Sequence, residues 1–403
     1  MKIVVIGSGP AGAATSLLLA REGHKVVLVE RSRDFSRVFR GEGLMPSGLS
    51  ALREMGLLRA LDELDTRLLD GWEIYLERRP ILKIREPSAE LGDLALRVVS
   101  QPQLLEMLVE QAAAAGDFEL LAPCTFRDLL QQSGRVCGVS VEGEARTGEI
   151  EADLVIGADG RGSLVRTRAE LELRLLDEAY DILWFKVPTP EALRDQCAIQ
   201  IFAHGADVAL AYVSWDGSYQ IAWMLGKGEW QHVRHTDWLR RCAALFRSDI
   251  AEHLVSLGSF VASPTLLNVI VGNCRRWWKP GLLLIGDAAH PMSPVRAQGI
   301  NMALRDAVVV ANRLRSGIAS EAVDRELAQI QAIRDREITK IQRLQFRELR
   351  AQRWMRRQPW LVKPIMGLVP RLVGSPWVER RWLAQQRPLR MGIEAVRLTD
   401  AGS

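Results

Sequence analysis

The first thirty residues constrain the fold more than any other stretch. An apolar run, Lys2-Ile3-Val4-Val5-Ile6, leads into Gly7-Ser8-Gly9-Pro10-Ala11-Gly12. A segment with Ala13, Leu17 and Ala20 on one helical face follows, to about Glu22. Gly23 stops that helix, and a second apolar run from Lys25 ends in Glu30. Strand, glycine turn, helix and strand in this order predict a parallel βαβ unit, and with it an α/β architecture. Gly7 allows the tight turn, Gly9 lets the backbone approach a pyrophosphate, and Gly12 lets the helix lie close to the strand. The helix start adds free N–H groups and partial positive charge for the phosphates. Glu30 is placed to accept hydrogen bonds from both ribose hydroxyls and would repel a 2′-phosphate. The unit therefore predicts a bound dinucleotide, and it fits NAD and FAD equally.

Two later stretches separate these. Residues 153–166 read as a buried strand ending in the turn Gly157-Ala-Asp159-Gly160. Residues 283–306 run from an apolar strand into Gly286-Asp287, pass His290 and Pro294, and open a helix at Gly299-Ile300-Asn301. Asp287 has the chemistry to bind a ribityl hydroxyl. Backbone N–H groups at Gly299, Ile300 and Asn301 would stabilise the negative charge of a reduced flavin.

In this order and at these separations, the three motifs resemble those of the FAD-dependent monooxygenases of the aromatic hydroxylase (para-hydroxybenzoate hydroxylase-like) family. The resemblance implies an α/β fold: an FAD-binding Rossmann-like domain of glutathione-reductase type, an inserted antiparallel β-sheet substrate domain and a C-terminal helical region. The expected boundaries are 1–70, 97–170 and 270–320 for FAD, 71–96 and 171–269 for substrate, and 321–403 for the helical region. The implied cofactor residues are Gly7, Gly9, Pro10, Ala11, Gly12, Glu30, Arg31, Arg40, Gln101, Asp159, Gly286, Asp287, Gly299, Ile300 and Asn301. The implied reaction is hydroxylation or epoxidation of an aromatic or polycyclic small molecule. NADH or NADPH would be the transient electron donor and O2 the oxidant, acting through a flavin C4a-hydroperoxide.

Family members usually carry a small residue two positions after the loop proline, where the backbone passes the flavin. Here Arg296 follows Pro294-Val295. Turned outward it would be inert; turned inward it would meet the flavin face or an anionic substrate. Pro294, Arg296 and His290 are the catalytic candidates, although His290 also suits a role in closing its loop through a backbone hydrogen bond. Trp184, His204, Tyr212 and Trp223 are the substrate candidates, in alternating segments 181–187, 207–213 and 218–224 and beside them.

The remaining signals exclude more than they assign. Five scattered cysteines without a Cys-x-x-Cys pair predict reduced thiols and no metal site. A strand starting at residue 2 and the lack of any apolar run of spanning length predict a cytoplasmic protein. Residues 334–397 hold 16 Lys and Arg against 5 Asp and Glu, in a chain of net charge +4. Trp354, Trp360, Trp377 and Trp382 lie in the same region. A helical cover with a solvated basic face is the first reading, peripheral membrane contact the second, and no nucleic acid is expected. Pro359, Pro364, Pro370, Pro376 and Pro388 are expected to cut this region into short helices. Two other functions stay open: a geranylgeranyl-reductase-like enzyme, whose sheet motif is missing a proline here, and a non-catalytic FAD-binding protein, which Arg296 alone suggests.

Overall fold

The computed structural model describes residues 1–36, 41–176, 180–205, 207–258, 264–357 and 374–399, with the backbone alone for 351–357. Arg40, Pro359, Pro364 and Pro370 lie outside the described residues, as do the side chains of Trp354 and Trp360.

The glycine-turn unit sits at the centre of a six-stranded sheet. Its order is Trp278–Lys279, Leu282–Leu284, Leu154–Gly157, Lys2–Ile6, Lys25–Val29 and Phe118–Leu121. All neighbours are parallel except the Trp278–Lys279 edge pair. Alternate residues of each strand feed two cores, as expected for a sheet covered on both faces. Ile3, Val5, Val26, Leu28, Leu154 and Ile156 face the helices Pro10–Arg21, Gln101–Ala115 and Gln298–Arg313. Val4, Ile6, Val27, Val29 and Val155 face a three-stranded antiparallel sheet, Cys124–Gln132, Arg135–Gly143 and Gly148–Glu151, and the helix Ser320–Arg357. That small sheet lies within the segment expected to bind FAD.

A second sheet of seven strands is built from 71–85 and 180–267. Its order is Thr265–Leu267, Tyr180–Val187, Tyr219–Gly226, Asp207–Val213, Ala198–His204, Gly71–Leu76 and Arg79–Arg85. Strand parity again sorts the side chains. Leu183, Phe185, Ala209, Ala211, Ile221 and Trp223 pack beneath the helices Trp238–Ala243 and Ser248–Leu257. The opposite parity, including Ile182, Trp184, Leu210, Tyr212 and Met224, faces the first domain.

Of the C-terminal prolines, Pro376 and Pro388 lie among the described residues, and both act differently from the expectation. Ser320–Arg357 is one helix of 38 residues, and Pro376 opens a second helix, Pro376–Met391, instead of ending one. Pro at the first helical position gives up only an N–H that has no partner there. Pro388 lies inside this helix and does not cut it. Bonds from other elements hold the turn: Gln298 Nε2 donates to the Leu389 carbonyl at 2.8 Å, and Arg390 pairs with Glu86. Among the described residues no helix is long and apolar enough to cross a membrane, and no His/Cys/Asp/Glu group could hold a metal.

Candidate active site

A groove opens along the carboxyl ends of the parallel strands, where open α/β sheets bind ligands. Gly7, Gly9, Pro10, Ala11, Glu30, Arg31, Gln101, Asp159, Asp287, Gly299 and Ile300 all line it. The glycines divide into two kinds. Gly7 has φ +97°, and a Cβ there would stand 2.7 Å from the Ala158 carbonyl oxygen; a Cβ on Gly12 would stand 1.9 Å from that of Gly7. Protein packing thus demands both. Gly9 is different, because nothing lies within 4 Å of its Cβ position. Only a ligand over the start of helix Pro10–Arg21 requires that side to be bare. This is the observation that fits the groove to a dinucleotide.

The acids of the groove have distinct roles. Glu30, buried at its end, accepts from the Ser8 and Ser32 amides, each at 2.9 Å, which fixes its carboxylate at the groove edge. Asp159 lines the groove, but its carboxylate is turned to the local loop. It accepts from Ser163 Oγ at 2.5 Å and from the Leu164 and Val165 amides at 2.7 and 3.1 Å. Asp287 stands on the short turn Gly286–Ala288, and no described residue donates to its carboxylate. Gln101 begins its helix and donates from Nε2 to the Gly41 carbonyl at 3.4 Å.

Gly12, Gly286 and Asn301 lie behind the groove wall. Asn301 Oδ1 accepts from the Met45 amide at 2.9 Å, and its Nδ2 donates to the Gly43 and Ala297 carbonyls at 3.1 and 2.6 Å. Its side chain therefore clamps segment 43–45 to the loop, while the start of helix Gln298–Arg313 faces the groove. Arg166, which sequence reasoning passed over, ties the two turns together. It donates to the Ala288 and Arg161 carbonyls at 2.9 and 3.0 Å.

A second cavity, mostly apolar, meets the groove at Arg161, Asp287, Gly299 and Ile300. Trp72, Trp184, Leu210, Tyr212 and Met224 of the seven-stranded sheet form one wall, and residues 292–297 of the loop form the other. Two of the four substrate candidates, Trp184 and Tyr212, line it. Trp223 does not: its parity turns it into the opposite core, fully buried, with Arg241 5.1 Å from its ring. His204 does not either, being at a strand end where Nδ1 pairs with Glu77 at 2.6 Å.

His290 is also outside both cavities. Its amide donates to the Gly286 carbonyl at 2.9 Å, the backbone closure expected of it, and its Nε2 lies 2.7 Å from Asp306 Oδ2, which adds a carboxylate to that closure. Asp306 also accepts from the Gly286 amide at 2.9 Å and from Arg334 Nε at 2.6 Å. Burial alone would raise the Asp306 carboxyl, but His290 and Arg334 hold it down at about 2.

Arg296 takes neither orientation expected of it. Its backbone is left-handed (φ 62°, ψ 26°), as is that of Ala297 (φ 50°, ψ 38°). The guanidinium lies 4.3 Å from the centroid of Trp72 and 4.9 Å from that of Trp382, and pairs with Glu348 at 2.9 Å. Glu348 Oε1 accepts from Gln386 Nε2 at 2.7 Å as well. Arg296 is thus drawn away from the cofactor groove and pins the loop to the two C-terminal helices. Pro294 remains in the cavity wall.

The cavity also holds a residue that the sequence offered only as the neighbour of Arg40. Glu42 is buried and accepts from Ser214 Oγ at 2.6 Å, Trp215 Nε1 at 3.1 Å and Tyr212 Oη at 3.4 Å, and it pairs with Lys186 at 3.1 Å. Burial pushes its carboxyl up against the opposing pull of Lys186. Burial, reinforced by Glu42, pushes Tyr212 well above the ordinary phenol range. Tyr212 therefore stays protonated, with its hydrogen directed at Glu42.

The chain matches the family model of the FAD binding domain over residues 1–344. It is similar to 6-methylpretetramide 4-monooxygenase of Streptomyces rimosus, with 36% identity over 326 residues, covering 78% of this chain and 75% of the relative. It is also similar to digeranylgeranylglycerophospholipid reductase 1 of Methanopyrus kandleri, with 28% identity, covering 80% of this chain and 81% of the relative. Among solved structures, p-nitrophenol 4-monooxygenase PnpA from Pseudomonas putida DLL-E4 shares the fold. Its TM-score is 0.78 at 18% identity, covering 98% of each chain.

Proposed function

Because this chain belongs to the FAD binding domain family and is an FAD-dependent monooxygenase, we propose that it oxygenates an aromatic, polycyclic small molecule, using NADH or NADPH and O2. The observation that carries this reading is the junction of the two cavities. A ring extending from the groove past Asp287 would lie across the start of helix Gln298–Arg313 and face the apolar cavity. Trp72, Trp184 and Met224 suit a flat, apolar guest there, and the Streptomyces relative is named for the oxygenation of 6-methylpretetramide.

When bound, FAD supplies hydride acceptance and O2 activation. The chain's residues supply position and environment. Gly9 and the helix start behind it would hold the pyrophosphate, Glu30 the ribose and Asp287 the ribityl chain. The N–H groups at Gly299 and Ile300 would stabilise negative charge on the ring edge. The apolar wall excludes water from the reacting centre. Segments 1–70, 97–170 and 270–320 hold the cofactor on this reading, and 71–96 with 171–269 hold the substrate. The described part of the tail covers the loop, and a cytoplasmic location agrees with five cysteines that form no disulfide.

The test is a screen of polycyclic phenols scored by coupled NAD(P)H oxidation and by incorporation of labelled oxygen. Incorporation from O2 is expected; substrate turnover without O2 would assign the chain to the reductases instead. Glu30→Ala is expected to weaken FAD by about 10- to 100-fold through loss of charged hydrogen bonds. Fluorescence of released flavin on dilution reads this directly, and unchanged retention would remove Glu30 from the site.

A further inference from the structure

We propose that the solvent face of helix Ser320–Arg357, with the start of helix Pro376–Met391, docks on an anionic phospholipid surface. Composition alone put a solvated basic face first and membrane contact second for this region. The placement of its charges reverses that order.

Arg336, Lys340, Arg343, Arg347 and Arg350 are all exposed. Their alternating spacing of four and three residues puts them on one helical face. From Arg336 to Arg350 they form a file about 21 Å long. The opposite face, with Ile338, Ile341 and Leu349, is buried. The acids of this stretch cannot neutralise the file, because each is bonded elsewhere. Asp335 accepts from Asn273 Nδ2 at 2.5 Å, Glu337 pairs with Arg305 at 2.7 Å, and Glu348 pairs with Arg296 at 2.9 Å. Among the described residues, none of the five cations has a hydrogen bond or an ion pair. Like charges three and four positions apart on a helix repel one another. The file therefore weakens its own helix, and its whole charge is left for a partner.

The second helix separates lipid from other polyanions. It lies against the first, with Gln386 Nε2 donating to Glu348 Oε1 at 2.7 Å. At its start Trp377 is 63% exposed, and the Arg381 guanidinium lies 5.6 Å from its ring. Arg380 and Arg387 are exposed on the same helix. An exposed indole among cations suits the headgroup layer, which takes both its apolar body and its N–H. In the sequence, residues 358–373 between the two helices include nine Trp, Leu, Ile, Val and Met residues, two cations and no acid. Lipid matches such apolar chemistry as well as the charge, whereas a nucleic acid would match the cations alone. Docking would bring the chain to where an apolar guest concentrates, and it does not depend on which reaction follows.

The test is co-sedimentation of holoenzyme with vesicles of phosphatidylcholine, alone or with about 30% phosphatidylglycerol, at about 50 mM salt. The wild type is expected to bind the anionic vesicles on the order of 100-fold more tightly than the neutral ones, and to be released at about 500 mM salt. Combined Arg336→Gln, Lys340→Gln, Arg343→Gln and Arg347→Gln should cost on the order of 100-fold on anionic vesicles. Its flavin content should stay that of the wild type, because these side chains are exposed and unbonded. Trp377→Ala should cost about fivefold and keep the salt dependence. If the combined variant does not hold FAD, the wild-type preference and Trp377→Ala decide alone. No binding to anionic vesicles, equal binding to neutral ones, or undiminished binding of the combined variant overturns the proposal. Random-sequence duplex DNA bound as tightly as the anionic vesicles, with no loss in Trp377→Ala on either, would assign the file to nucleic acid and overturn the lipid surface. None of these measurements needs turnover, so failure here leaves the monooxygenase reading untouched.

Discussion

Gly9→Ala is expected to fold as the wild type does and still to lose FAD, whereas Gly12→Ala should lose both stability and cofactor. The two glycines stand three residues apart in one turn, and their surroundings differ completely. A methyl at Gly12 would lie 1.9 Å from the Gly7 carbonyl oxygen, a backbone atom that cannot turn aside. The helix Pro10–Arg21 would have to move off the strand, disturbing the contacts of Ala13, Ala14 and Leu17 with the core. Overpacking of this kind costs about 3 kcal/mol at the upper end of the ordinary range. At Gly9 the backbone has φ −75°, which alanine adopts freely, and the methyl meets no protein atom within 4 Å. It would occupy the space a pyrophosphate needs above the helix start. FAD should therefore bind on the order of 100-fold more weakly, while the apoprotein melts within about 1 °C of wild type. Absorbance of bound flavin relative to protein, measured beside apoprotein melting, separates the cases. Wild-type flavin content in Gly9→Ala would mean that the pyrophosphate lies elsewhere.

What was legible in the sequence was whatever depends on neighbours within one turn or one strand. The glycine turn, its helix and the acid at Glu30 are local, and their geometry follows from spacing alone. The substrate wall is not local. Trp184 and Trp223 lie in equally convincing alternating runs, yet pairing sets Trp223 opposite Leu183 and Trp184 opposite Ala222, on opposite faces. Period 2 shows that a strand has two faces, and says nothing of which one meets the cofactor domain. Arg296 shows the same limit. A cation in place of a small residue pointed to the flavin or to solvent, and its partners Trp72, Glu348 and Trp382 come from three distant elements. Glu42 carried no signal beyond its place near Arg40, since Tyr212 and Ser214 reach it from the end of a strand and the residue after it, some 170 residues away. With Arg296 held by the tail, the reason for reading this chain as a non-catalytic flavoprotein also falls away.

The second large effect concerns the buried charges beneath the loop, where Asp306→Asn is expected to cost about 3–5 kcal/mol near neutral pH. Asp306 joins His290 and Arg334, and Arg334 also pairs with Glu337. Glu337 in turn pairs with Arg305 at 2.7 Å and accepts from the Ile393 amide at 2.8 Å. The network thus links the Gly286 turn to the C-terminal tail through groups almost wholly removed from water. Burial opposes both ionised carboxylates, but His290 and Arg334 hold Asp306, and Arg334 and Arg305 hold Glu337, each at about 2. Unfolded, the two would titrate near 4. Their folded values are depressed, so their contribution is complete above about pH 5 and is lost as pH falls toward 2. On the order of 2–3 kcal/mol per group is involved. Urea unfolding of wild type and Asp306→Asn from pH 7 to pH 3 should show a gap that narrows as acid is added, because the wild type loses what the variant already lacks. Flavin should also dissociate more readily from the variant, since the Gly286 amide loses its carboxylate partner. A gap of constant size across that range would show that Asp306 titrates alike in the folded and unfolded protein, and a widening gap that it is protonated when folded; either result would leave the linkage between loop and tail to Glu337 alone.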